Sequence, residues 1–154
     1  MSGSHPRLRL RQLHPEPYQA LNSWHASVQK SCADADLPQL LLGLVWIRVS
    51  QLNGCAFCLD MHHREARDHG ERQVRLDVLP AWRESGDLFT AQERAALGLA
   101  EAMTLLPANG VPDGIYRTAA EAFSDQQVGA LIMSISVINA YNRIGVATAS
   151  RPRA

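Results

Sequence analysis

From Pro17 onward the chain places apolar side chains at helical spacing. Tyr18, Leu21, Trp24 and Val28 fall on one face of a first helix. Asp36 followed by Pro38 marks a second helix start. The segment from Gln39 to Leu52 is apolar almost all round and stops at Asn53-Gly54, a pair that ends helices. Another helix opens at or near Cys55 and closes near Gly70. Glu71 to Trp82 has no clean period and reads as short helical turns. Thr90-Ala-Gln-Glu93 and Ser124-Asp-Gln-Gln127 are capping boxes, in which side chains satisfy the orphan amides of a helix start. The first opens a helix carrying Ala96, Leu97, Leu99, Ala100 and Met103 that ends before Pro107. The second opens an apolar helix to about Tyr141. Between them Asp113 caps a short helix through Phe123. β-branched residues are sparse outside Val45 to Val49 and Ile132 to Ile138, and no run alternates with period two for long. The expectation is an all-α chain: one helical domain of six or seven helices over residues 16–150, preceded by a loose N-terminal arm, residues 1–15.

Composition narrows the function classes. The 154 residues hold 15 basic and 15 acidic side chains, so bulk charge supports no nucleic-acid or anionic-membrane partner. A near-zero charge also does little to keep copies apart, which permits self-association. The longest apolar stretch, Val128 to Tyr141, is short for a bilayer span and carries Ser134, Ser136 and Asn139, so it reads as a buried helix. The basic N-terminus lacks the apolar centre and cleavage site of a secretory signal, and the expected location is the cytoplasm. In a reducing compartment a close cysteine pair is more often catalytic or metal-binding than a structural staple. No glycine-rich nucleotide motif is present, so neither direct use of NADH nor any other cofactor is expected.

The chemistry concentrates in Gly54-Cys55-Ala-Phe-Cys58-Leu-Asp-Met-His62. At about 100° per residue, Cys58 lies about 300° and His62 about 340° around a helix from Cys55, so all three share one narrow face. His62 is four residues from Cys58, within reach of its sulfur. The cysteines are three apart, close enough for a disulfide in a first helical turn. A helix starting near Gly54 would put both thiols beside unpaired amides and the positive dipole end, which favours thiolate. A nearby imidazole can take the proton. The chemistry expected of such a set is a dithiol–disulfide cycle: one thiolate attacks a peroxide oxygen, the other condenses with the sulfenic acid, and an external dithiol reduces the pair. Three other readings compete. A chance CxxC would be inert. A zinc site would need a fourth ligand, and no second C-x-x-C or H-x-x-x-H exists. A thioredoxin-like motif would need flanking strands.

The run Arg48-Val-Ser-Gln-Leu-Asn-Gly-Cys55-Ala-Phe-Cys58-Leu-Asp-Met-His62 resembles the peroxidase-type signature of the alkylhydroperoxidase D and carboxymuconolactone decarboxylase superfamily. Ile138-Asn139-Ala-Tyr-Asn142-Arg143 resembles a later pattern of the same proteins, and the likeness extends from about Tyr18 to Val146. The resemblance implies an all-α fold assembled as a homo-oligomer, trimer or hexamer. It implies a thiol-dependent hydroperoxide reductase with Cys58 attacking the peroxide, Cys55 resolving and His62 in a proton relay. A dithiol or lipoyl-type reductant protein would return the electrons. Two departures stand out. Relatives usually carry a glutamate about twelve residues before the first cysteine, where this chain has Gly43. The best-known peroxidases have a histidine just before the second cysteine, where this chain has Phe57. Losing two ionisable relay members implies slow turnover, or an oligomeric redox-sensing or dithiol-exchange protein on the same scaffold. Asp60 points about 200° from Cys58 on an ideal helix and is a poor substitute. Glu16, Glu65 and Glu101 cannot be placed by spacing.

The remaining residues have plainer readings. Cys32 reads as a packed or partly exposed thiol, His63 as exposed, and His25 as a surface or core-edge histidine. His5, His14 and His69 read as solvated. Trp24, Trp46 and Trp82 read as core or subunit-contact anchors, with Trp46 able to cap the active-site pocket because it stands where a basic residue is expected. Asn139, Asn142 and Arg143 end an apolar helix and need an inter-helix or inter-subunit hydrogen-bond network.

Overall fold

The structure is a computed structural model that describes residues 7–152. Among these residues there are eight α-helices and no strand: α1 Leu10–Leu13, α2 Pro15–Asp34, α3 Gln39–Asn53, α4 Ala56–Asp68, α5 Gln73–Val78, α6 Ala91–Leu105, α7 Asp113–Ala122 and α8 Asp125–Ala147. Two short 3₁₀ turns, Leu79–Glu84 and Gly86–Leu88, join α5 to α6. The all-α expectation holds, with the extra helices coming from two places. One turn of helix forms within the N-terminal arm, and the ambiguous stretch after Glu71 resolves into α5 and a 3₁₀ turn. Arg7 ties the arm to the end of α8 by donating to the Ala147 carbonyl at 3.2 Å. The part of the arm before Arg7, with His5, lies outside the described residues.

The central element is α3. Every residue from Leu41 to Ile47 is buried, as are Val49 and Ser50. A helix that is apolar all round belongs inside a core. Its two sides face two separate clusters. Leu41, Leu42, Val45, Trp46 and Val49 join α2, α6 and α8. Leu44 and Ile47 join Ala66, Leu76, Leu79, Trp82 and Leu97 from α4, α5, the 3₁₀ turn and α6. Each such buried Leu or Ile contributes about 1.5–3 kcal/mol of transfer free energy.

Both capping boxes form. Thr90 Oγ1 accepts from the Glu93 amide while Glu93 accepts from the Thr90 amide. Ser124 and Gln127 make the same reciprocal pair. Asp113 does not cap α7 with its side chain. It is the first helical residue after Pro112, and its charge meets the positive helix end instead. The last helix also runs beyond Tyr141 to Ala147. Its 23 residues are long and apolar enough, by length and composition, to cross a bilayer, so the apolar stretch is longer than the sequence pattern indicated. In the fold it is a core helix. Val128, Leu131, Ile135 and Ile138 are buried, and its buried polar groups Ser134 and Asn142 are hydrogen-bonded to α3.

Candidate active site

The site is built at the junction of α3 and α4, and Cys55 forms that junction. Asn53 ends α3, and Gly54 follows with φ +67°, a left-handed conformation that glycine adopts without Cβ strain. The Cys55 amide then donates back to the Ser50 carbonyl at 3.1 Å, which satisfies one of the orphan carbonyls of α3. The same residue starts the next helix. Cys55 is the N-cap of α4, and its Sγ accepts from the Cys58 amide at 3.4 Å. Thus one residue stops α3 with its backbone and caps α4 with its sulfur. The two sulfurs are joined as a disulfide across a Cα–Cα distance of 5.3 Å. Both lie at the amide-rich end of α4, where developing negative charge on a thiolate is favoured.

The cysteines differ in what they face. Cys58 lines a cavity of about 280 Å³ with His25, Trp46, Met61, His62 and Tyr141. Cys55 is not among its lining residues and is only 2% exposed. It is closed off by Gly145 of α8: a Cβ at that position would stand 2.9 Å from the Cys55 Sγ. No sequence signal had singled out Gly145. It matters because α8 passes close enough to the disulfide to require a hydrogen there.

His62 is buried and oriented by Glu65. Its Nδ1 lies 2.9 Å from Glu65 Oε2, one turn along the same helix. This hydrogen bond, outweighing burial, holds the Glu65 carboxyl below the usual carboxylate range. The carboxylate fixes the tautomer and leaves Nε2 as the free ring nitrogen. That atom is buried and without a hydrogen-bond partner. Trp46 packs against the imidazole with ring centroids 5.4 Å apart, while its indole donates to Ser134 at 2.8 Å. His25 stands edge-on to both Trp46 and Tyr141. Burial and then the neighbouring His62 push its pKa down, which favours the neutral ring.

Gly43 lines a small crevice shared with His62, Glu65 and Trp46. Gly43 is therefore close to His62, whose carboxylate partner Glu65 stands on α4. The spacing of His62 and Glu65, three apart on one helix, was a readable signal. Asp60 pairs outward with Arg64 at 2.6 Å. Glu101 lies in a separate cluster, and Glu16 is exposed at the start of α2.

Other expectations divide. Trp46 lines the cavity. Cys32 is packed, with its Sγ 3.7 Å from the Ala130 carbonyl, and burial pushes its pKa up. His63 is half-buried, not exposed, because α4 packs that flank against neighbouring structure, and its pKa falls with burial. The asparagines form an inter-helix network. Asn53 donates to Asn139 and Asn142 at 2.9 and 3.0 Å, and Asn142 donates to Ser50 at 3.1 Å. This network pins α8 to α3 just behind the disulfide. Among the described residues no group of three or more His, Cys, Asp or Glu side chains is arranged to hold a metal ion.

Comparison with known proteins agrees with this architecture. The chain is 45% identical over 108 residues to the uncharacterized protein YdfG of Bacillus subtilis, covering 70% of this chain and 73% of that one. A solved structure from Agrobacterium tumefaciens superposes with a TM-score of 0.89 at 34% identity, over 97% of this chain and 99% of that one. That protein, of unknown function, is named as a candidate antioxidant defence protein AhpD. An uncharacterized peroxidase-related protein from Silicibacter shares the fold at 21% identity, with a TM-score of 0.76 over 88% of this chain and 70% of that one. The sequence profile of the carboxymuconolactone decarboxylase family matches residues 15–102, which include α2, α3, the CxxC pair and His62. The chain therefore belongs to the carboxymuconolactone decarboxylase family, within the superfamily that family shares with alkylhydroperoxidase D.

Proposed function

We propose that this protein is a thiol-dependent hydroperoxide reductase that cycles Cys55 and Cys58 between dithiol and disulfide. The observation that carries the reading is the shared cavity of Cys58 and His62, in which the imidazole keeps a buried, unpartnered Nε2. In the reduced protein the Cys58 thiolate attacks the distal peroxide oxygen. His62 Nε2 first takes the Cys58 thiol proton; as the O–O bond breaks it passes that proton to the leaving alkoxide, and Cys58 becomes a sulfenic acid. The Cys55 thiolate then attacks the Cys58 sulfur. An S–S bond forms, and the displaced hydroxide leaves as water with the proton that the Cys55 thiol gave up. The net reaction converts ROOH and two thiols to ROH, water and a disulfide. An external dithiol, on a small molecule or a lipoyl-type carrier, restores the thiols, which fits a cytoplasmic location. Glu65 does the orienting work that Gly43 cannot. A trimeric or hexameric assembly belongs to the same proposal and is read by light scattering.

Steady-state peroxide consumption with a dithiol donor tests the reading. Cys58→Ser is expected to drop to the uncatalysed background. Cys55→Ser is expected to stop after one equivalent, with a sulfenic acid on Cys58 seen by mass spectrometry. Unchanged consumption by Cys58→Ser would end the proposal. Reversible dithiol exchange without peroxide turnover would favour the redox-sensing alternative.

A further inference from the structure

We propose that the cavity beside Cys58 takes an amphipathic anion, namely an organic hydroperoxide bearing a carboxylate. This inference rests on the hydroperoxide reading of the same site and adds its substrate class. The inner cavity adjoins a larger outer depression of about 770 Å³. The two spaces share Arg11, Tyr18, Phe57, Ile144 and Ser150 in their walls and so lie side by side. Four arginines line the outer part: Arg7, Arg9, Arg11 and Arg151. Among the described residues no aspartate or glutamate lines either part. In a chain of 15 basic and 15 acidic residues this is a local excess of positive charge, not a bulk property.

The inner part has the opposite character. Trp46, Met61, Val137, Ile138 and Tyr141 surround Cys58 and His62. A charged head group would lose its hydration there, whereas an apolar body would gain from leaving water. At the mouth the balance reverses. Arg11 is held over the Tyr18 ring, 5.1 Å from its centroid, at the boundary of the two parts. Its guanidinium can meet a carboxylate while the body of the ligand reaches inward. A ligand spanning the two adjoining spaces would be sorted by polarity: carboxylate at the arginines, apolar chain at Trp46 and Tyr141, peroxide at Cys58. The head group takes no part in the redox step.

Titration calorimetry of the oxidised protein with octanoate and with 1-octanol, at low ionic strength, tests this without chemistry. Octanoate is expected to bind about tenfold more tightly, a difference of about 1.4 kcal/mol. Added salt should shrink the difference as the exposed charges are screened. Arg11→Gln, and independently Arg151→Gln from the other end of the chain, should each reduce the preference at least about threefold. Arg117→Gln on α7 should leave it intact. Equal affinities, no binding of either probe, or a preference untouched by both mouth variants would overturn the inference. Stopped-flow oxidation of the reduced protein by cumene hydroperoxide runs alongside. Its failure, with octanoate preference retained, would sink the hydroperoxide reading and leave the amphipathic-anion site standing.

Discussion

Two buried polar groups flank α3, and they are satisfied to different degrees. On one side Glu101 of α6 accepts from Arg48 Nε and Trp82 Nε1, both at 2.8 Å, and also from Arg83. Burial alone would raise its pKa, but these donors outweigh it and hold the carboxyl below its usual range. On the other side His62 has one ring nitrogen bound by Glu65 and the other bound by nothing. A buried polar atom without a partner costs about 1–3 kcal/mol, so a fold keeps one where something else uses it. The difference separates scaffold from site. Glu101 is closed in and holds α3, α6 and the 3₁₀ turn together, while His62 opens on a cavity beside a sulfur.

Substitutions can break or sharpen this contrast. His62→Gln removes the proposed proton carrier and is expected to slow thiol oxidation by about 10²–10⁴-fold while leaving the fold intact, read by stopped-flow and thermal unfolding. Glu101→Ala should do the reverse. It leaves Arg48 Nε and the Trp82 indole without their acceptor and should lower stability by about 3 kcal/mol, with the folded fraction oxidising at the normal rate. If His62→Gln unfolded the protein and Glu101→Ala silenced it, the assignment of roles would be inverted.

Glu65→Gln is the smallest and most diagnostic change. Because its native pKa is depressed, the Glu65 carboxylate adds stability above the ordinary carboxylate range, and that stability is lost as pH falls through the native value. The side chain is 48% exposed, so the contribution is about 1 kcal/mol or less. The Tm gap between wild type and Glu65→Gln should therefore be present at neutral pH and close in acid. Its oxidation rate should fall by less than that of His62→Gln. A Tm gap that widened in acid would contradict the His62–Glu65 pairing.

How much of this was legible in the chain depends on the range of each contact. The capping boxes at Thr90 and Ser124, the stop at Asn53-Gly54 and the approach of Cys55 to Cys58 are local, so spacing alone places them. Glu65 was equally local, but with Glu16 and Glu101 it could not be placed until His62 proved buried with its Nδ1 against it. Gly145 and the cavity partners His25 and Tyr141 come from α2 and α8, far away in sequence. Their approach is set by how three helices pack, which periodicity does not encode. The length of α8 was underestimated because Asn142 and Arg143 look like a polar end, whereas Asn142 is buried and paired with α3.

The most direct measurement is stopped-flow oxidation of the fully reduced protein by an organic hydroperoxide, with thiols counted and the product mapped by mass spectrometry. Rapid loss of two thiols, with Cys55 joined to Cys58 and Cys32 still free, is the expected result. Slow or absent oxidation, with the same pair still exchanging with small dithiols, would contradict it and mark the cavity as one that keeps a dithiol without reducing peroxide.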